Sequence, residues 1–187
     1  MILPIYAYGQ PVLRKQALPI TPDFPELATL IADMYETMYS AKGVGLAAPQ
    51  VGRSVRVFVV DTLQINKANE KHTGIKQTFI NAQLLDESGE PWLYEEGCLS
   101  IPDIHVEIER LPVVNLRFQD ENFVEHTQTF EGINARVIQH EYDHIEGVLF
   151  IDRMKPLKRR MINRKLEKIK KGEVDSDHPM KYAKAER

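Results

Sequence analysis

The stretch Gln139-His140-Glu141-Tyr142-Asp143-His144 decides how this chain is read. It sets two imidazoles four residues apart, with a carboxylate beside the first. At about 3.6 residues per turn, such positions lie only about 40° apart around a helix. Both rings can therefore face one cation, and Glu141 hangs on the flank of that site. This is the HExxH pattern of metal-dependent hydrolases. The plainer alternative is an amphipathic helix whose histidines only pack. A third ligand separates the two.

Downstream, the long form of the pattern adds a glycine and a third histidine. Gly147 is present, but Phe150 stands where that histidine belongs, so this version fails. Glu167 and Glu173 are the remaining downstream candidates, and both sit in a basic segment that suits ion pairing. Upstream, Glu95-Glu96-Gly97-Cys98-Leu99-Ser100-Ile101-Pro102 holds the only cysteine of the chain. A free cysteine is often no more than a small buried apolar residue. The surrounding Gly and Ser-Ile-Pro describe a tight turn able to aim a thiolate outward and leave the next backbone N–H free. One cysteine and two histidines with an open fourth position form a catalytic metal geometry.

Gly43-Val44-Gly45-Leu46-Ala47-Ala48-Pro49-Gln50-Val51-Gly52 formally fits the dinucleotide fingerprint, which requires a strand before it and a helix after it. Here the order is reversed, with an amphipathic helix first and the strand Val55–Val60 afterwards. Nucleotide binding is rejected. The small residues let backbone approach a substrate, and Gln50 offers an amide to an oxyanion.

Together the three segments resemble the bacterial peptide deformylases, which carry GxGxAAxQ, EGCLS and QHExxH stretches in this order. Gly43–Gln50, Glu96–Ser100 and Gln139–His144 occupy those places, and the likeness covers roughly the first 170 residues. The resemblance implies Cys98, His140 and His144 as metal ligands and Glu141 as general acid–base. It implies Gln50 and the Leu99 N–H as oxyanion donors, Gly45 as backbone for the substrate peptide, and Gln139 as support for the ligands. It further implies hydrolysis of the N-formyl group from the N-terminal formylmethionine of new polypeptides, releasing formate, with ferrous iron as the metal and zinc or nickel as substitutes. Val44, Tyr94, Val137 and the aliphatic part of Arg136 fall near the site and are candidates for a methionine slot. Each has core packing as its alternative, and Arg136 departs from the apolar residue expected one turn before His140. His105 is not assigned as a ligand. A peptidase acting on N-terminal residues, and a ribosome-associated protein with a structural metal, are the competing functions. The second would want a fourth protein ligand.

The chain has 187 residues, 43% of them hydrophobic, enough for one ordinary globular domain. No run of eighteen apolar residues spans a membrane, the start lacks a signal-peptide pattern, and a single cysteine fits a reducing cytoplasm. The net charge of −3 is unevenly distributed. Nine basic residues from Lys155 to Lys171 face the single acid Glu167, a local +8 that leaves −11 on the remainder. Such density points to a phosphate-rich partner. With the family resemblance it suggests ribosomal RNA, against the alternative of a solvated helix docked by Ile162, Leu166 and Ile169; DNA is not expected.

Apolar spacing from Leu27 to Met38 predicts a helix over about 26–41. Strands are predicted at 55–61 and 78–81, a polar excursion at 62–76, a hairpin from 113–120 and 123–130, the ligand helix at 134–146 and a basic helix after Pro156. These elements predict an α+β single domain, with mixed or antiparallel sheets packed around a central helix carrying HExxH. The catalytic domain is expected to span residues 1–171, including the C-terminal basic helix at 155–171, with 172–187 as a mobile polar tail.

Overall fold

A computed structural model describes residues 1–65 and 73–183. Much of the packing follows from Val57-Phe58-Val59-Val60, a fully buried run in strand β3 (Val57–Asp61). Side chains alternate across a strand. Phe58 and Val60 therefore join one core and Val57 and Val59 another. The second core is closed by helix α1 (Leu27–Ser40), which presents Leu30, Ile31, Met34 and Met38 to the sheet. The first is closed by helix α2 (Gly132–Ile145) through Ala135, Ile138 and Ile145. Phe58, Phe79, Phe118 and Phe130 fill that layer, with Phe79 4.7 Å between centroids from both Phe58 and Phe118.

The sheet is antiparallel and five-stranded, in the order β2 (Gly45–Ala47), β3, β4 (Lys76–Ser88), β7 (Val113–Gln119) and β8 (Glu125–Glu131). A separate antiparallel hairpin joins β5 (Trp92–Cys98) to β6 (Ile101–Arg110) and covers the other side of α2. Helix α3 (Pro156–Lys171) packs Leu166 and Ile169 with Ile101, Ile104 and Ile108 of β6. Strand β1 (Ile5–Tyr6) pairs in parallel with β9 (Met180–Lys181).

The α+β arrangement around the HExxH helix is as the sequence led us to expect, and α1, α2, α3 and the β7–β8 hairpin stand within a few residues of their expected bounds. Three expectations change. β4 runs for 13 residues rather than four, because two register shifts against β7 break its alternation. The turn expected at 95–102 is the tip of a long hairpin. The tail is tied down rather than free at 180–181, where it becomes β9; residues 184–187 lie outside the described residues, as does 66–72 of the expected excursion.

Candidate metal centre

Helix α2 is buried on two sides, by the phenylalanine layer and by the β5–β6 hairpin, so His140, Glu141 and His144 are all buried. The hairpin supplies the thiol. Cys98 closes β5 after a register shift between Glu96 and Cys98, which turns its side chain toward the helix. Its Sγ lies 3.3 Å from His144 Nε2, and one donor atom each from Cys98, His140 and His144 all lie within 4.8 Å of one another. A thiolate with two imidazoles suits a divalent transition metal, not the oxygen-seeking calcium or magnesium.

His140 is aimed by its other nitrogen. Nδ1 lies 2.9 Å from Glu96 Oε2, which leaves Nε2 for the centre. Glu96 also accepts from Arg110, 2.7 Å from Nε and 3.0 Å from Nη2, and from Arg136 Nη1 at 2.9 Å. Arg110 donates further to Asp143 Oδ2 at 2.8 Å, and Arg153 Nε reaches the same oxygen at 2.7 Å. Burial works to raise the Glu96 carboxyl, but its bonds to His140 and Arg110 outweigh it and hold the group ionised far below the usual carboxylate range. The two imidazoles differ. Burial pushes His144 well down and keeps it neutral, as a ligand must be. Burial also acts to lower His140, but Cys98 and Glu96 overcome it and raise its pKa well above the usual imidazole value.

Glu141 is 4% exposed, Oε2 has no hydrogen-bond partner, and burial pushes its carboxyl up to about 7. It lies against the bare Cα of Gly45: a Cβ there would stand 2.8 Å from Glu141 Cδ and Cγ. Gln50 is fixed from both ends of its amide. Oε1 accepts from Ala47 N at 2.8 Å, while Nε2 donates to Ser100 Oγ at 3.2 Å and points at Cys98 Sγ at 3.6 Å.

A cleft of about 680 Å³ opens over this group. It is lined by Val44, Gly45, Gln50, Tyr94, Cys98, Leu99, Arg136, Val137, His140 and Glu141, so the sequence candidates other than His144 and Gln139 share one cavity. Two expectations are revised. Arg136 is 2% exposed and its guanidinium lies 4.6 Å from the Trp92 ring centroid, bonded to Ile108 O and Trp92 O as well as Glu96. It lines the cleft with its guanidinium fixed in the hairpin rather than free at the surface. Gln139 donates to Glu87 Oε1 at 2.7 Å and Leu111 O at 3.1 Å, on the helix face away from the ligands; the support it was expected to give comes from Glu96. Of the Glu96–Arg110–Asp143–Arg153 network, the sequence suggests only a Glu96–Arg110 pair, without support of its own; the hydrogen bonds bear that pair out and add Asp143 and Arg153. Its one sequence trace is the inward alternation Ile104, Val106, Ile108, which puts Arg110 on an apolar face.

A structural metal site closes its fourth position with a protein ligand. Among the described residues no fourth donor joins Cys98, His140 and His144, and an unpaired carboxylate faces the same cavity. Fold and centre together define a metal-dependent hydrolase. A model of the polypeptide deformylase family matches residues 2–160. The peptide deformylase of Flavobacterium johnsoniae is 52% identical over 100% of this chain and 99% of its own length, and that of Cytophaga hutchinsonii 48% over 97% and 98%. Among solved structures, peptide deformylase from Legionella pneumophila superposes with TM-score 0.79 at 39% identity, covering 92% of this chain and 98% of that one. One from Plasmodium falciparum gives 0.79 at 34%, covering 88% and 94%. The chain belongs to the peptide deformylase family.

Proposed function

We propose that Cys98, His140 and His144 hold one ferrous ion, with zinc or nickel able to replace it, and that the centre removes the formyl group from N-formylmethionyl nascent peptides, the reaction of the family. The observation that carries this reading is the meeting of the thiol and two imidazoles within 4.8 Å beside the unpaired carboxyl of Glu141.

The ion, when bound, polarises the formyl carbonyl and makes water acidic enough to attack near neutral pH. Glu141 takes the proton of the attacking water as its oxygen adds to the formyl carbon. It then delivers that proton to the departing amine nitrogen as the C–N bond breaks, leaving formate and a free N-terminus. Negative charge developing on the formyl oxygen is met by the Gln50 amide and the Leu99 N–H; loss of one such donor commonly raises the barrier by about 3 kcal/mol. Gly45 gives the peptide backbone room, and Val44, Tyr94, Val137 and the aliphatic part of Arg136 border the slot for methionine.

Two further readings concern where this happens. Among the described residues no helix is long and apolar enough to cross a membrane; the case for a cytoplasmic enzyme is the lone cysteine, which suits a reducing compartment, and a substrate that is the newly made chain. Helix α3 turns Leu166 and Ile169 inward and its lysines and arginines outward, with Leu157 and Met161 exposed at 74% and 78%. That face serves for docking on ribosomal RNA. Anaerobically purified protein should release formate from formyl-Met-Ala and contain about one iron per chain. Metal-replete protein that releases no formate would overturn the reading.

A further inference from the structure

Arg136 stands one helical turn before His140 on α2, so the two share a helix face. Both side chains end on the same carboxylate. Arg136 Nη1 donates to Glu96 Oε1 at 2.9 Å, and His140 Nδ1 lies 2.9 Å from Glu96 Oε2. The guanidinium is otherwise held by the hairpin. Nη1 also donates to Ile108 O of β6 at 2.9 Å and Nη2 to Trp92 O of β5 at 2.8 Å, with the Trp92 ring centroid 4.6 Å away. One buried cation therefore fastens the helix that carries His140 and His144 to both strands of the element that carries Cys98. The same residue lines the substrate cleft beside Val137. Glu96 keeps a cation without it, because Arg110 donates to both carboxylate oxygens. The arginine is thus surplus to holding that charge, and it sits where the slot and the centre meet.

We propose that Arg136 is a positioning residue linking the methionine slot to the metal centre: a side chain packed along its stem steadies the guanidinium, which through Glu96 holds the His140 ring in its ligating orientation. The proposal rests on the deformylase reading. Such a link lets a contact remote from the formyl group act on the reacting atoms, so the contact shows in kcat and not in KM alone. Arginine suits the task where lysine does not. Its planar fork serves Glu96, Ile108 O and Trp92 O at fixed angles, whereas an ammonium is a point charge on a flexible stem.

The test uses Arg136→Met in the full chain, which keeps an unbranched apolar stem and removes the fork. Formyl-Ala-Ala in place of formyl-Met-Ala should lower the wild-type kcat by about tenfold besides raising KM; in the variant that kcat ratio should shrink to about twofold. For formyl-Met-Ala the variant should lose about tenfold in kcat with KM within about twofold of wild type. Loaded with Co2+ as a probe, it should bind about tenfold more weakly in chelator competition, and its visible bands, which report ligand geometry, should differ from wild type. Arg136→Lys keeps the charge and should restore the thermal midpoint without restoring those bands; it carries the same comparison if Arg136→Met melts too low to assay. A kcat ratio unchanged from wild type, or wild-type Co2+ bands, would overturn the link. Weakened Co2+ binding and altered bands in the variant, with no formate released by the iron-loaded wild type, would count against deformylation and leave the hold of Arg136 on the centre standing.

Discussion

Glu96→Gln is the substitution that most exposes how this centre is held. Glu96 and Asp143 balance Arg110 and Arg136 in a buried network, and the Glu96, Arg110 and Arg136 side chains are 4%, 2% and 2% exposed. Glutamine keeps the shape but removes one of the negative charges and turns an amide N–H₂ toward a guanidinium. Removing one partner of a buried pair costs about 3–5 kcal/mol, because the remaining charge stays buried. For a chain of this size each kcal/mol moves Tm by roughly 2–4 °C, so the midpoint should fall by on the order of 10 °C. His140 keeps at most a neutral amide oxygen in place of the carboxylate that orients its Nδ1, which should weaken metal affinity about 10- to 100-fold. Scanning calorimetry of metal-free protein reads the first effect, and chelator competition at the folded temperature reads the second. Adding Arg136→Met restores the charge balance, so the double variant should regain about 1–2 kcal/mol over Glu96→Gln alone. A single variant that melts within about 3 °C of wild type and binds metal equally well would refute the idea that Glu96 organises the site.

Gly45→Ala would push a methyl group into the Glu141 carboxyl, and kcat should drop by about 100-fold or more while metal content holds; unchanged turnover of formyl-Met-Ala would show that Glu141 does not depend on that contact. Asp152 is held low: burial raises it, but the Arg14 guanidinium and the Leu149 N–H outweigh that. A depressed carboxyl stabilises above its unfolded pKa and loses that contribution as pH falls through the folded one. Asp152→Asn should therefore melt a few degrees below wild type at pH 7, with the gap closing below about pH 4 in a pH series of thermal melts. Reversing Lys158, Arg164 and Lys168 to Glu, all exposed on α3, should abolish low-salt cosedimentation with ribosomes and leave formyl-Met-Ala turnover intact. Deleting the helix would instead strip Leu166 and Ile169 from the core. Peroxide should inactivate the iron-loaded form, because a ferrous ion, unlike zinc or nickel, is oxidised by peroxide beside the thiolate, and spare the zinc or nickel form; equal resistance in an activity time course would count against iron.

What sequence could and could not reveal follows from how the contacts are encoded. His140 and His144 are related by helical geometry, so four-residue spacing alone brings them to one face. Cys98 became readable because its turn is chemically unusual, though the strands flanking that turn were not. β5 shows most of its residues to solvent, and the apolar alternation of β6 is interrupted at Asp103, which has φ of 60°. The partnership of Glu96 with Arg110 depends on hairpin register: Trp92 pairs with Arg110, Tyr94 with Ile108 and Glu96 with Val106, which places all six on one face. No local spacing reports such a register. Arg136 looked like an intrusion in an apolar slot for the same reason, since the aromatic rings and carbonyls that receive it belong to that hairpin. Residues 175–178, which border the cleft, were hidden in a polar tail because its anchor, β1, lies at the opposite end of the chain.

X-ray absorption at the iron edge of anaerobically purified protein tests the central claim most directly. The expected coordination shell contains one sulfur and two imidazole nitrogens, with the sulfur lost in Cys98→Ser. A shell with no sulfur, or one filled by four protein donors, would contradict it.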